Sequence, residues 1–142
     1  MKDISFKAII IGLLVDIGGT FAFAFAFGIL AIILLTSTDG DIRQLEDFSR
    51  TPVFRTVTPI VGLLFTGLGG YMTARISKSE ELKNAFFMGI ASAAFGMISI
   101  FTLSGSETYW LDLIAMILTI FFAVLGGYAY TKTKGTDLQP KG

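Results

Sequence analysis

Four long apolar runs constrain this 142-residue chain more than any other feature. They extend from about Phe6 to Leu35, Val53 to Ile76, Ala85 to Leu103 and Tyr109 to Tyr130. A helix rising about 1.5 Å per residue needs about 20 residues to cross about 30 Å of hydrocarbon, and each run suffices. Lipid gives the backbone no hydrogen-bond partners, so such runs cross as helices rather than as isolated strands. Barrel strands would place a polar residue at every second position, and these runs do not. The expected fold is all-α: a single-domain integral membrane four-helix bundle.

The first run is longer than a crossing requires, so it tilts, projects beyond the membrane or bends at Gly18-Gly19. Phe21, Phe23, Phe25 and Phe27 alternate with alanines in a strand-like way. On a helix they spread over two faces and leave Ala22 and Ala26 in line with Gly18. The basic start and Ala22-Phe23-Ala24 also suggest a cleavable signal peptide. The apolar run continues well beyond that site and holds Asp16, so an uncleaved first span is the better expectation.

Lys and Arg placement sets the direction. Lys2, Lys7, Arg75, Lys78, Lys83, Lys132, Lys134 and Lys141 fall on the side of the termini and the second connection. Only Arg43, Arg50 and Arg55 fall on the other. Both termini are therefore expected in the cytoplasm, with the chain in the plasma membrane (the inner membrane of a bacterium). Tyr109 and Trp110 suit an outer aromatic belt, and Tyr71, Tyr128 and Tyr130 an inner one. The acidic outer loop from Thr36 to Pro52 carries Ile42, Leu45 and Phe48 at helical spacing. It reads equally as an irregular loop or as a short surface helix capped by Asp39 or Asp41.

Composition removes whole classes of chemistry. With no Cys and no His, disulfides, thiolate catalysis and the common zinc sites are excluded. Eleven basic residues balance eleven acidic ones without a basic stripe, so no nucleic-acid partner is expected. Gly67, Gly69 and Gly70 lie in an apolar helix, without the strand and Lys of a phosphate loop. No cofactor, metal or catalytic residue is expected.

Spans two and four both close on Gly-Gly-Tyr, at Gly69-Gly70-Tyr71 and Gly126-Gly127-Tyr128. Aligned there, Gly62, Thr66, Gly70 and Ala74 fall opposite Thr119, Ala123, Gly127 and Thr131. Ala8, Gly12, Asp16 and Gly19 of span one likewise fall opposite Ala85, Gly89, Ala93 and Gly96. A duplicated hairpin, its copies related by an axis along the membrane normal, is one account; chance among common membrane residues is the other. In either case small residues four apart form ridges that let helices approach closely. The expected packing positions are Gly12, Gly62, Gly70, Gly89, Gly96, Ala123 and Gly127.

Asp16 is the costly residue. It falls roughly 15 Å into the first span, near the midplane, where an ionised carboxylate costs about 2.5–3.5 kcal/mol or more. Protonation, pairing or contact with water lowers that cost. No Lys or Arg lies at that depth, leaving Thr20, Thr66 and Thr119 as hydrogen-bond candidates. Three roles stay open: a packing contact, a contact with a partner or an Asp ring in an oligomer, and a proton or cation site. Arg55 and Asp112 could pair near the outer interface, and Lys78, Glu80 and Glu81 cap or solvate the inner turn.

The whole resembles small bacterial membrane proteins in shape and composition, which implies no activity. The leading expectation is a non-catalytic subunit that acts by association, with lipid, further copies of itself or another membrane protein as partners. The alternative is a small oligomeric transporter or channel that uses Asp16 as its proton or cation site.

Overall fold

The computed structural model describes residues 4–37, 52–77, 79–103 and 109–137, with side chains over 4–34, 57–77, 79–98 and 113–134 and at Ser37. Among these residues there are four helices and no strand: α1 (Phe6–Ser37), α2 (Pro52–Ile76), α3 (Glu81–Leu103) and α4 (Tyr109–Asp137). Three segments, Phe6–Leu34, Val57–Ile76 and Leu113–Lys134, are long and apolar enough to cross a membrane. The alternating Phe/Ala stretch is helical, and α1 runs without interruption through Gly18 and Gly19. The α4 helix continues past Tyr130 to Asp137. Its backbone hydrogen bonds are internal, so a helix need not stop where hydropathy does. The expected outer-loop helix around Ile42 lies outside the described residues.

Each helix runs antiparallel to the next. Ser5 donates its N–H to Asn84, and Asp16 meets Ser92, so α1 and α3 run in the same direction. Thr73 and Thr66 of α2 meet Ala8 and Asp16 of α1 in reverse order. The α2 and α3 helices touch each other and both outer helices, whereas α1 and α4 do not touch among the described residues. The two hairpins are thus not equivalent in their packing. A two-fold axis between them would give α1–α4 the same contact as α2–α3.

Their registers differ as well. A methyl on Gly12 would collide with Thr73 and the Gly69 carbonyl, whereas one on Gly89 would meet Ala123 and Ile120.

Glycine sets the distances. An added Cβ would lie 2.0 Å from the Ala123 carbonyl oxygen at Gly70 and 1.9 Å from that of Gly67 at Gly126. The α2 and α4 backbones therefore touch directly, a close approach that only the absence of side chains allows. Gly127 adds a contact with Ala85 on α3. Gly62 and Gly96 differ: a Cβ on either would meet nothing within 4 Å. They belong to the predicted ridges, but no neighbouring helix lies against that part of either ridge.

Burial is inverted relative to a water-soluble domain. Phe6 (74%), Phe25 (73%) and Leu14 (67%) are exposed, while Ala8, Ala74, Ala85 and Ala123 are buried along with Asp16, Thr66, Thr73, Ser77 and Asn84. Isolated exposed apolar residues are ordinary; whole helix faces of Phe, Leu and Ile around a small and polar interior are not.

The glycines yield a matched test. Gly70→Ala is expected to cost about 1–3 kcal/mol by overpacking. Gly62→Ala should be neutral or stabilise by up to about 1 kcal/mol through helix propensity. Reversible unfolding in mixed micelles would measure both, and equal effects would contradict this account of the packing.

Candidate functional site

Asp16 lies where α1, α2 and α3 meet, with 4% of its surface exposed. The approach of α1 to α2 is set one turn away, where Gly12 and Gly69 face each other. A Cβ on Gly69 would sit 2.6 Å from the Gly12 carbonyl oxygen and 3.1 Å from the Asp16 Cβ. With the backbones this close, the Thr66 hydroxyl donates to Asp16 Oδ1 at 2.8 Å. From α3, Ser92 donates to Asp16 Oδ2. Each carboxyl oxygen therefore receives one hydroxyl, and among the described residues no cation takes part.

The Thr66 hydroxyl also lies 3.1 Å from the carbonyl oxygen of Gly62. A hydroxyl has one proton, so it can donate to Asp16 or to Gly62 but not to both at once.

Of the residues expected to surround the carboxyl, Thr66 touches it. Thr20 donates at 2.8 Å to the main-chain carbonyl of Asp16, not to its side chain. Thr119 donates to Ala115 at 2.9 Å on its own helix. It belongs to α4, which does not reach α1. The side chains of Arg55 and Asp112, expected to pair, lie outside the described residues.

Ser92 was missed from the sequence. The repeat alignment makes Ala93 the counterpart of Asp16 in the second hairpin and says nothing about which α3 residue meets it; packing of α1 on α3 brings Ser92 there. Below this level Met88, fully buried, fills the gap between Gly12 and Gly69.

A second polar cluster lies at the α2–α3 turn. Asn84, fully buried, accepts the Ser5 N–H on Oδ1 at 2.7 Å. Its Nδ2 lies within donating distance of Ser77 Oγ at 2.7 Å and of the Ser79 and Glu80 carbonyls, each at 3.0 Å. Ser5 also caps α1, its hydroxyl accepting the Ala8 N–H. One amide thus ties the start of α1 to the turn. Glu80 precedes α3 with φ 52°, a left-handed conformation that costs a residue with a Cβ about 1–2 kcal/mol. Glu81 pairs with Lys134 at 2.6 Å, linking the start of α3 to the end of α4. The pair is solvated and adds little stability. Lys78 lies outside the described residues.

Among the described residues no group of acidic side chains is placed to hold a metal ion. No buried side-chain polar atom among them lacks a hydrogen bond. No family model, curated protein or solved structure matches the chain.

The two clusters give separable expectations. Thr66→Val should destabilise by about 1–2 kcal/mol, since it leaves a carboxyl oxygen unpartnered, while Thr119→Val should change stability little. Asn84→Ala should cost about 1–3 kcal/mol by stranding the Ser5 N–H, and Glu80→Gly should raise stability by up to about 1 kcal/mol. Unfolding in the same micelles ranks the four. A Thr119→Val effect as large as that of Thr66→Val would refute the assignment.

Proposed function

We propose that this chain is a multi-pass protein of the plasma membrane, with four crossings and both termini cytoplasmic, which acts by association and not by catalysis. The observation that carries this reading is the inverted burial. Every buried polar side chain described is satisfied inside the helix packing, and the exposed helix faces away from the helix ends are mainly apolar. Surfaces of that kind suit lipid and other membrane helices.

The crossing by α3 is supported by its 23 residues and its position among three membrane-length neighbours. The orientation is supported by the excess of Lys and Arg on the side of the α2–α3 turn. The twin Gly-Gly-Tyr endings support an origin by duplication, followed by divergence in packing.

A second copy of this chain is the partner put forward, and the face put forward for it lies on α1 beyond Asp16. Gly18, Ala22 and Ala26 are one turn apart there and exposed, beside Phe21 and Phe25. Native mass spectrometry after gentle extraction is expected to give a defined homo-oligomer that Ala22→Ile with Ala26→Ile disperses. A strictly monomeric protein that co-purifies with nothing would sink the association reading. A stoichiometric second protein would replace the homo-oligomer with an accessory-subunit role. The orientation is tested by a Ser79→Cys variant of this Cys-free chain, which should react with impermeant thiol reagents from the cytoplasmic side only.

One observation favours a second reading. Asp16 lies ten residues into α1 between two hydroxyl donors, and an acid within an apolar helix is the usual mark of an ion or proton path. Proteoliposome flux lost in Asp16→Asn would support transport, and flux that the substitution leaves unchanged would count against it.

A further inference from the structure

We propose that Asp16, Thr66 and Ser92 form a proton-binding site, reached from the end of the helices opposite the α2–α3 turn. The chemistry rests on the placement of the Thr66 hydroxyl, 2.8 Å from Asp16 Oδ1 and 3.1 Å from the Gly62 carbonyl oxygen. When Asp16 is ionised, Thr66 and Ser92 both donate to the carboxylate. When a proton arrives on Oδ1, Asp16 becomes a donor to Thr66 Oγ1, and the Thr66 hydroxyl turns to Gly62. Ser92 donates to Oδ2 in both states. Every donor and acceptor is satisfied either way, so the surrounding structure accepts both protonation states without moving a helix.

Access is one-sided. Toward the turn, Gly12, Gly69 and Thr73 bring α1 and α2 into direct contact, and buried Met88 closes the remaining gap. Away from the turn, the Phe65 ring of α2 lies against Gly19 of α1, and beside that contact each helix presents a small residue one turn beyond its part of the site: Thr20 after Asp16, Gly62 before Thr66 and Gly96 after Ser92. A Cβ on Gly62 or Gly96 would meet nothing within 4 Å. On this proposal water approaches beside Gly62 and Gly96, past the Phe65–Gly19 contact, and the proton comes from it.

Among the residues whose side chains are described, no charged group competes with the site, and the ionisable groups of α2 are Tyr71 and Arg75, both beyond Gly69 toward the turn. Those of α3 are Glu81 and Lys83, at its start, and α1 adds only exposed Lys7 near its own start. The α4 helix does not touch α1.

Infrared difference spectroscopy of wild type against Asp16→Asn, in detergent, reads the carboxyl directly. A protonated-carboxyl C=O band absent from Asp16→Asn is expected, and it should convert to carboxylate absorption over a titration from acid to alkaline pH. Ser92→Ala should move the band to higher frequency by removing the hydroxyl donor to the carbonyl oxygen. A band that persists unchanged across that range, or that never forms, would overturn the site and leave Asp16 as a fixed packing contact. A titration displaced by sodium chloride but not by choline chloride would replace the proton with a metal cation.

For access, Gly62→Cys and Gly96→Cys in oriented proteoliposomes should react with an impermeant methanethiosulfonate from the side opposite the turn. No reaction there would overturn the route. Only the side of entry rests on the membrane reading above, and the spectroscopy, done in detergent, fails or succeeds apart from it.

Discussion

The rest of the structure depends on direct contact between helix backbones. In lipid, apolar side chains gain little by turning inward, so helices hold together through short-range dispersion and hydrogen bonds, both of which fall off steeply with distance. Gly12 and Gly69 bring α1 onto α2, and Gly70 and Gly126 bring α2 onto α4. A side chain at any of these positions would hold the helices apart. The hydroxyl of Thr66 would then stop short of Asp16, and Met88 would no longer span the gap it fills. The polar centre is a consequence of the glycines.

That centre explains how a carboxyl can lie within an apolar helix. Its two oxygens receive hydroxyls from two other helices, and the main-chain carbonyl of the same residue receives Thr20. A contact of this kind fixes the relative rotation of three helices, because each hydroxyl reaches over a single bond length or two. The Asn84 cluster does the same at the turn, tying Ser5, Ser77 and the turn carbonyls to one amide. Between the two lies the closest packing; beyond Asp16, α1 and α2 still meet where the Phe65 ring lies against Gly19, while Gly62 and Gly96 face open space.

The small residues divide by the same geometry. Gly12, Gly70, Gly89, Ala123 and Gly127 all lie at helix contacts, while Gly62 and Gly96 share their ridges but face open space. Spacing of four places residues on one face of a helix and says nothing about how far along that face a neighbour follows. The exposed Gly18, Ala22 and Ala26 belong to the same class, on a part of α1 that no other described helix covers.

The sequence by itself determined the helical class, the approximate limits of the helices and the singularity of Asp16, because hydropathy and the backbone's need for hydrogen bonds act locally along the chain. It also pointed to Thr66, since a hydroxyl on a small-residue face is a natural partner for a buried acid. Only the tertiary structure decided that Ser92 and not Thr119 completes the site. That choice turns on α1 lying beside α3 and, among the described residues, away from α4, and on the height at which the two meet. Asn84 was hidden for a similar reason: its partners come from the start of α1 and from a turn, distant in sequence and joined only when three helices close. Local periodicity sets which face a residue occupies, but which helix meets that face, and at what height, is fixed by contacts among all of them at once.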